Sequence, residues 1–387
     1  MIHRELSDKI IQLRQKFPVV TLTGPRQTGK TTLLKTIYSD LPYVSLEELD
    51  NRTFATSDPR GFLSNFQSGA FIDEIQHVPN LFSYIQGLVD SKDVQFALSG
   101  SQNFQLIEGI TQSLAGRTAI LKLLPLTYQE ILSSGVEFEN FEEAVFKGAY
   151  PRIFDKNIEP IDFYPNYITA YIERDVRQIK NIENLALFSD FVKLCAGRIG
   201  QVLNIQTLAN DAGISPNTAK SWLSVLEASY VIYTIKPHHN NFNKRITKSP
   251  KLYFYDTGLA CSLLGLTTSN QLVSFYGKGN LFENYVMNEF LKIEFNAGRK
   301  SNIYFWQNKT KKEIDILLDS GENIQPFEIK SSKTRNANLF ENLLYWSKQA
   351  GISSIDLTVV YGGDEDFKTS QGNFLSWRNI SNLPIVR

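Results

Sequence analysis

The nine residues Gly24 to Thr32, GPRQTGKTT, restrict this chain more than any other stretch. Gly24, four residues, then Gly29, Lys30 and Thr31 follow the apolar run Phe17 to Leu22 and precede the helical pattern Thr32 to Tyr38, so the order is strand, loop, helix. The two glycines let the backbone turn until successive N–H groups point inward as an anion nest, and the helix that follows adds the positive end of its dipole. Lys30 is then placed to bridge the outer phosphates of a triphosphate, and the Thr31 hydroxyl to ligate magnesium. The whole loop, Gly24, Pro25, Arg26, Gln27, Thr28, Gly29, Lys30, Thr31 and Thr32, is the expected site of a nucleoside triphosphate with Mg²⁺.

The following segments supply what hydrolysis needs. Tyr43 to Leu46 reads as a short strand, and GAFIDEIQ, Gly69 to Gln76, as an apolar strand ending in Asp73 and Glu74. One acid can hold magnesium, directly or through water, while the other polarises the attacking water. Neighbours on a strand leave on opposite faces, which would separate the two roles. Val94 to Gly100 is a further buried-type strand, and it ends in the polar cluster Ser99, Ser101, Gln102 and Asn103. Ligands of doubly wound sheets bind at the carboxyl ends of the strands, so Ser101 is the expected polar contact. A helix runs toward Leu114, and Arg117 precedes a fifth strand, Ala119 to Leu124.

Bulk properties set outer limits. At 387 residues the chain is too long for one ordinary core, and 42% hydrophobic with 21% charged residues excludes a disordered chain. The formal net charge of +0 gives no global pull toward a polyanion. Between Lys236 and Arg335, however, Lys and Arg outnumber Asp and Glu by 15 to 9. The two cysteines, Cys195 and Cys261, have no metal-ligand spacing and read as buried free thiols of a reducing compartment. With no apolar signal core and no window of eighteen apolar residues, the expectation is a cytoplasmic protein without a membrane partner.

With these features in place, the chain resembles the AAA+ branch of P-loop ATPases: phosphate loop, DE acid pair, polar residue after a fourth strand and arginine before a fifth occur in that order. SLAGR followed by LLPLTYQEI, then GAYPR and YIERDVR, is similar to the bacterial and archaeal AAA-type ATPases that carry an uncharacterised C-terminal domain. The resemblance implies that Arg117 is an arginine finger acting on nucleotide held by a neighbouring subunit, which calls for a homo-oligomer. It also implies a helical lid contributing a second arginine, either Arg152 or Arg174.

Residues 203–232 carry a different signal. A periodic helix stops at Gly213, Ser215 and Pro216 restart a second one, and Trp222, Val225 and Leu226 keep helical spacing, which reads as helix-turn-helix. Tyr233 to Tyr255 would add the wing of a winged helix. Lys220 on the second helix, with Lys244, Arg245, Lys248 and Lys251 on or near the wing, suits contact with phosphates.

The last third opens with an amphipathic helix, Phe275 to Phe295, carrying Glu283 near its start. Three strands follow, Ile303 to Trp306, Glu313 to Leu318 and Pro326 to Lys330, placing Asp315 on the second and Glu328 and Lys330 on one side of the third. This arrangement resembles the PD-(D/E)xK nuclease core. The resemblance implies that Asp315 and Glu328 hold a divalent metal, with Glu283 as a supporting ligand, while Lys330 orients the water or stabilises the pentacovalent phosphate. Glu313 and Gln307 are candidate helpers, and Lys309, Lys311, Lys312, Lys333 and Arg335 form a basic cluster beside them.

The expected architecture is therefore α/β and multidomain: a P-loop AAA+ parallel sheet over 1–125, a helical lid over 126–190, a winged-helix-like domain over 191–265 and a PD-(D/E)xK nuclease-like α/β domain over 266–387. Two functions remain open at this point. One is an ATPase coupled to DNA or RNA; the other is a nucleotide-gated switch whose C-terminal domain binds a protein.

Overall fold

The computed structural model describes residues 2–101, 113–176, 182, 184–238, 249–308, 310–351 and 357–383, and the side chains of these except 173–175. Gln102, Asn103, the helix expected before Leu114, the side chain of Arg174, and Lys244, Arg245, Lys248 and Lys309 thus lie outside the described residues. The chain divides into two compact units. The first comprises Met1–Leu126, Ala228–Tyr230 and Glu294–Arg299; the second comprises Thr127–Glu227, Val231–Ile293 and Lys300–Arg387.

In the first unit, β1 (Val19–Thr23), β2 (Tyr43–Ser45), β3 (Gly69–Asp73), β4 (Gln95–Gly100) and β5 (Thr118–Lys122) form a parallel sheet in the order β2-β3-β4-β1-β5. Side chains alternate across it. Val20, Leu22, Phe71, Ala97 and Leu121 pack on one face with residues of α1 (Leu6–Arg14) and α2 (Lys30–Ile37). Val19, Ala70, Ile72, Phe96 and Leu98 pack on the other, under α3 (Leu49–Ser57), α4 (Pro59–Ser64) and α5 (Leu81–Ser91). Burial on both faces explains why these strands are continuous apolar runs rather than alternating ones.

The second unit begins with four short helices, α6 (Tyr128–Ser133), α7 (Phe141–Lys147), α8 (Pro151–Asp155) and α9 (Pro160–Tyr167). Here the GAYPR segment has a physical explanation. Gly148 has φ +65°, and a Cβ on it would stand 2.0 Å from the Tyr164 hydroxyl oxygen and 2.6 Å from Asp256 Oδ1. Ala149 N–H donates to Asp256 Oδ2 at 2.7 Å, Tyr150 bonds Tyr167 through their hydroxyls at 2.9 Å, and Pro151 starts a helix. Gly148→Val is expected to destabilise this unit by about 3 kcal/mol or more, through backbone strain and overpacking together. Urea melts of the full chain followed by fluorescence would read this as a lower midpoint; an unchanged midpoint contradicts the packing account.

Next come α10 (Leu185–Ala196), α11 (Ile205–Asp211), α12 (Pro216–Ala228) and the antiparallel pair β6 (Ile232–Ile235) and β7 (Lys251–Phe254). The turn between α11 and α12 uses Gly213 at φ +66°, and Ser215 Oγ accepts from Thr218 N–H at 3.1 Å to open the second helix. Trp222, Val225 and Leu226 are buried, as their spacing predicts.

After α13 (Thr257–Leu263) and α14 (Ser269–Ser274), the long helix α15 spans Lys278–Asn296. A six-stranded mixed sheet then runs in the order β12-β13-β11-β10-β9-β8. Its members are β8 (Ile303–Gln307), β9 (Glu313–Asp319), β10 (Ile324–Lys330), β11 (Thr358–Tyr361), β12 (Phe367–Lys368) and β13 (Asn373–Ser376), with α16 (Glu341–Ala350) after β10. The strands β12 and β13 are short, and only β13 alternates buried with half-buried positions.

Candidate active site

The phosphate loop closes as its residue types demand. Gly24, at φ +148°, has no room for a side chain, because a Cβ would meet the Leu123 carbonyl oxygen at 2.2 Å. Gln27 and Gly29 also take positive φ, 63° and 89°, so the backbone winds directly into α2. Thr28 is fully buried and ties the loop to itself, its hydroxyl donating to Pro25 O at 3.0 Å. Arg26 is half-buried; Gln27 and Thr32 are exposed.

Lys30 is buried, and its amine donates to Gly24 O at 2.9 Å and Pro25 O at 2.7 Å. Burial lowers its pKa to about 8, with Glu74 and Asp73 opposing the shift, so the amine stays charged at neutral pH. Thr31 Oγ1 donates to Asp73 Oδ2 at 2.8 Å. Strand alternation explains that contact: Asp73 shares the face of Phe71, the face covered by α2. Ser99 shares the face of Ala97, and its hydroxyl donates to Asp73 Oδ1. The Tyr43 hydroxyl adds a longer bond to Oδ2, 3.3 Å.

Glu74 departs from expectation in its backbone. It lies past the end of β3, at φ 54° and ψ 43°, so a left-handed turn rather than strand alternation separates it from Asp73. Its Oε2 accepts from Gln76 Nε2 and from Ser101 Oγ, the latter at 3.3 Å. The loop, both acids and Ser101 thus converge. Hydroxyl, carboxylate and amine at these spacings are the donor set that a magnesium–triphosphate complex requires.

Arg117 sits apart from this convergence. Its Nε and Nη2 donate to Asp90 Oδ1 and Oδ2 at 2.5 and 2.8 Å on an exposed surface of the first unit. Arg152 is exposed on α8 in the second unit. Sequence reasoning missed Arg4. It is 6% exposed, and its guanidinium donates to Thr28 O at 2.6 Å and Leu124 O at 2.7 Å, bracing the loop from outside its motif.

A second constellation lies within the second unit. Glu283 on α15, Glu313 and Asp315 on β9, and Glu328 and Lys330 on β10 are brought together. Lys330 Nζ donates to Glu328 Oε1 at 2.7 Å and lies 3.6 Å from Asp315 Oδ2. Asn342 also donates to Glu328 Oε1, at 3.2 Å, while Ile329 N–H donates to Asp315 Oδ2 at 2.8 Å. Gln307 donates to Glu313 Oε2 at 2.7 Å.

Lys251, expected on a wing facing phosphates, is instead buried at the heart of this group. Its amine is 2.9 Å from Glu283 Oε1 and 3.9 Å from Asp315 Oδ1, and it pairs with Glu313. It starts β7, all four of whose residues are buried, so the strand carries the amine inward. Burial works against its charge, but Glu283, Asp315 and Glu313 outweigh that and hold it above its ordinary value. Burial raises Glu283, Glu313 and Glu328, Glu328 to about 8. Among the described residues, no group of three or more His, Cys, Asp or Glu side chains is disposed to hold a metal ion. The basic cluster is partly engaged as well: Lys312 pairs with Glu341 at 3.1 Å, Lys333 with Glu142 at 3.5 Å, and Arg335 stacks on Phe367.

Residues 16–132 match the family model of an AAA domain. Residues 138–270 and 278–380 match two domains of unknown function, DUF8612 and DUF4143. The chain is similar to an uncharacterized protein of Mycobacterium tuberculosis, 28% identical over 373 residues and covering 95% of this chain and 81% of that relative. An uncharacterized protein of Haemophilus influenzae is 21% identical over 383 residues, with 89% of this chain and 90% of the relative covered. Among solved structures, the Walker-type ATPase of Pyrococcus abyssi matches with a TM-score of 0.46 and 14% identity, over 68% of this chain and 96% of that one. The first unit is an AAA-type P-loop ATPase domain, on the family match together with its parallel sheet. No helix among the described residues is long and apolar enough to cross a membrane.

Proposed function

We propose that this protein hydrolyses ATP with Mg²⁺ and couples the cycle to a nucleic acid through its second unit. The observation that carries the ATPase reading is the bond from Thr31 to Asp73, with Glu74 one residue on and Lys30 one residue back. Thr31 and Asp73 would hold magnesium, which would supply positive charge against the charge that develops on the transferred phosphoryl group. Lys30 would bind the outer phosphates, and the loop N–H groups would orient them. Glu74 takes up the proton of the attacking water, and Ser101 and Gln76 hold its carboxylate in place. Arg117 serves a neighbouring subunit of a homo-oligomer once released from Asp90.

We read α11, α12 and the β6–β7 pair as a winged-helix-like segment within 191–265, preceded by a helical lid over 126–190 and followed by a PD-(D/E)xK-like domain over 266–387. Lys220 is exposed on α12 and suits a DNA or RNA phosphate. The test is ATP turnover by the full chain, measured as phosphate release with and without mixed DNA or RNA, alongside salt-dependent binding. Turnover should rise with nucleic acid, and binding should weaken steeply with salt. No turnover sinks the ATPase reading; turnover without binding at low salt sinks the coupling.

A second reading has an observation of its own. Lys251 pairs with Glu283 and with Glu313 of the nuclease-like sheet, which favours a nucleotide-gated switch whose C-terminal domain binds a protein partner and does not cut.

A further inference from the structure

The carboxylate centre of the second unit has the residues that a divalent cation would use, but they are already committed. Glu283 Oε1 accepts from the Lys251 amine at 2.9 Å and from the Tyr253 hydroxyl at 2.6 Å. Glu313 divides its oxygens between Lys251 and Gln307. Asp315 faces Lys251 with Oδ1 and both Lys330 and the Ile329 N–H with Oδ2. Glu328 gives Oε1 to Lys330 and Asn342. Its Oε2 is buried without a hydrogen-bond partner. A divalent cation such as Mg²⁺ or Mn²⁺, which takes an octahedral oxygen set, would have to displace the Lys251 and Lys330 ammonium groups to reach these carboxylates. Lys251 itself is 1% exposed, on a strand remote in sequence from the carboxylates.

We infer that Lys251 is the resident cation of this centre: its ammonium takes the place of the divalent metal that a nuclease-like sheet would hold, so the native protein does not load metal there. This deepens the nuclease-like reading of the sheet and depends on it only for the expectation that a metal belongs there. The consequence is mutual exclusion. The strand β7 and a divalent cation compete for Glu283, Glu313 and Asp315, so metal-dependent cleavage is closed while β7 keeps its register with β6. The charge logic is that of any buried ion cluster. Three carboxylates around one amine are stable as a set, and removing the amine leaves buried negative charge that another cation will satisfy.

The test uses the full chain without nucleotide, so that the phosphate loop contributes no metal site, and Mn²⁺ alone as the probe. Native protein should bind no Mn²⁺ at this centre by electron paramagnetic resonance, and its melting temperature should not respond to Mn²⁺. Lys251→Met should acquire Mn²⁺ binding and a melting temperature that rises with Mn²⁺. The further change Asp315→Asn should abolish that gain. Lys251→Arg, which keeps the charge, should behave as the native chain. If Lys251→Met fails to fold alone, Mn²⁺ should restore it; a variant neither bound nor stabilised by Mn²⁺ overturns the inference. So does native protein that binds Mn²⁺ in a manner lost on Asp315→Asn. The nuclease-like reading fails separately, if Lys251→Met loads Mn²⁺ and still neither binds nor cuts nucleic acid.

Discussion

Replacing Lys30 with alanine should abolish ATP turnover, lowering it at least ~10²-fold, and weaken nucleotide binding as well. The amine is buried at the mouth of α2 and faces the loop's own carbonyls, Gly24 O and Pro25 O. Near pH 7 it carries its charge, because burial lowers its pKa only to about 8. A charge-assisted bond from such a group to a phosphate is among the stronger ones available in a partly dry site. Alanine removes the charge without filling the space, and the bonds of Thr28 and Arg4 to the loop backbone are left in place. The comparison to make is phosphate release and calorimetric nucleotide binding, with a thermal melt to show the fold intact. Unchanged turnover in a folded variant would remove the ATPase assignment.

Glu74→Gln should separate the two halves of that result. Nucleotide affinity should stay within a few fold of the native value, while turnover falls by roughly 10²–10⁴-fold, the usual contribution of a positioned general base. The amide has the size of the carboxylate and can still meet Ser101 and Gln76, but it cannot accept the proton of water. Asp73, bonded to Thr31 and Ser99, is untouched by the change. Single-turnover and steady-state measurements together distinguish this outcome from a binding defect. A loss of affinity equal to the loss of turnover would show that Glu74 holds the nucleotide rather than the water.

The convergence of the phosphate loop with Asp73, Glu74 and Ser101 was legible in sequence because its parts are local and chemically unusual. A loop of fixed spacing, an acid pair after an apolar run and a serine after the next run each carry their own signal. The position of Ser101 against Glu74 followed from where parallel strands end. The turn at Glu74 was not legible, since DEIQ reads equally well as two more strand residues. Arg4 escaped notice because its partners are backbone carbonyls, which sequence does not distinguish. Lys251 was misassigned for a different reason: a lysine among basic neighbours near a turn looks solvated. A usable hint was the apolar LYFY that follows it, which marks β7 as a buried strand into which any charge must bring partners. Those partners lie 32 or more residues away, beyond any local pattern.

The order of strands in the first unit also bears on how the protein comes off the ribosome. β1, which leads into the phosphate loop, is an inner strand, and its two neighbours are β4 and β5, the last strands of that sheet to be made. Until Leu123 has emerged, Gly24 lacks the carbonyl against which the loop closes. Even then the unit is incomplete, because it includes Ala228–Tyr230 and Glu294–Arg299. Tyr230 reaches back to Thr23, hydroxyl to hydroxyl at 2.8 Å, and Gly298 lies against Lys9 and Leu121. Completion of this unit is therefore a late event in synthesis. The nascent chain must also carry β1 as an unpaired apolar strand until β4 and β5 have been made, a period in which chaperone protection matters most.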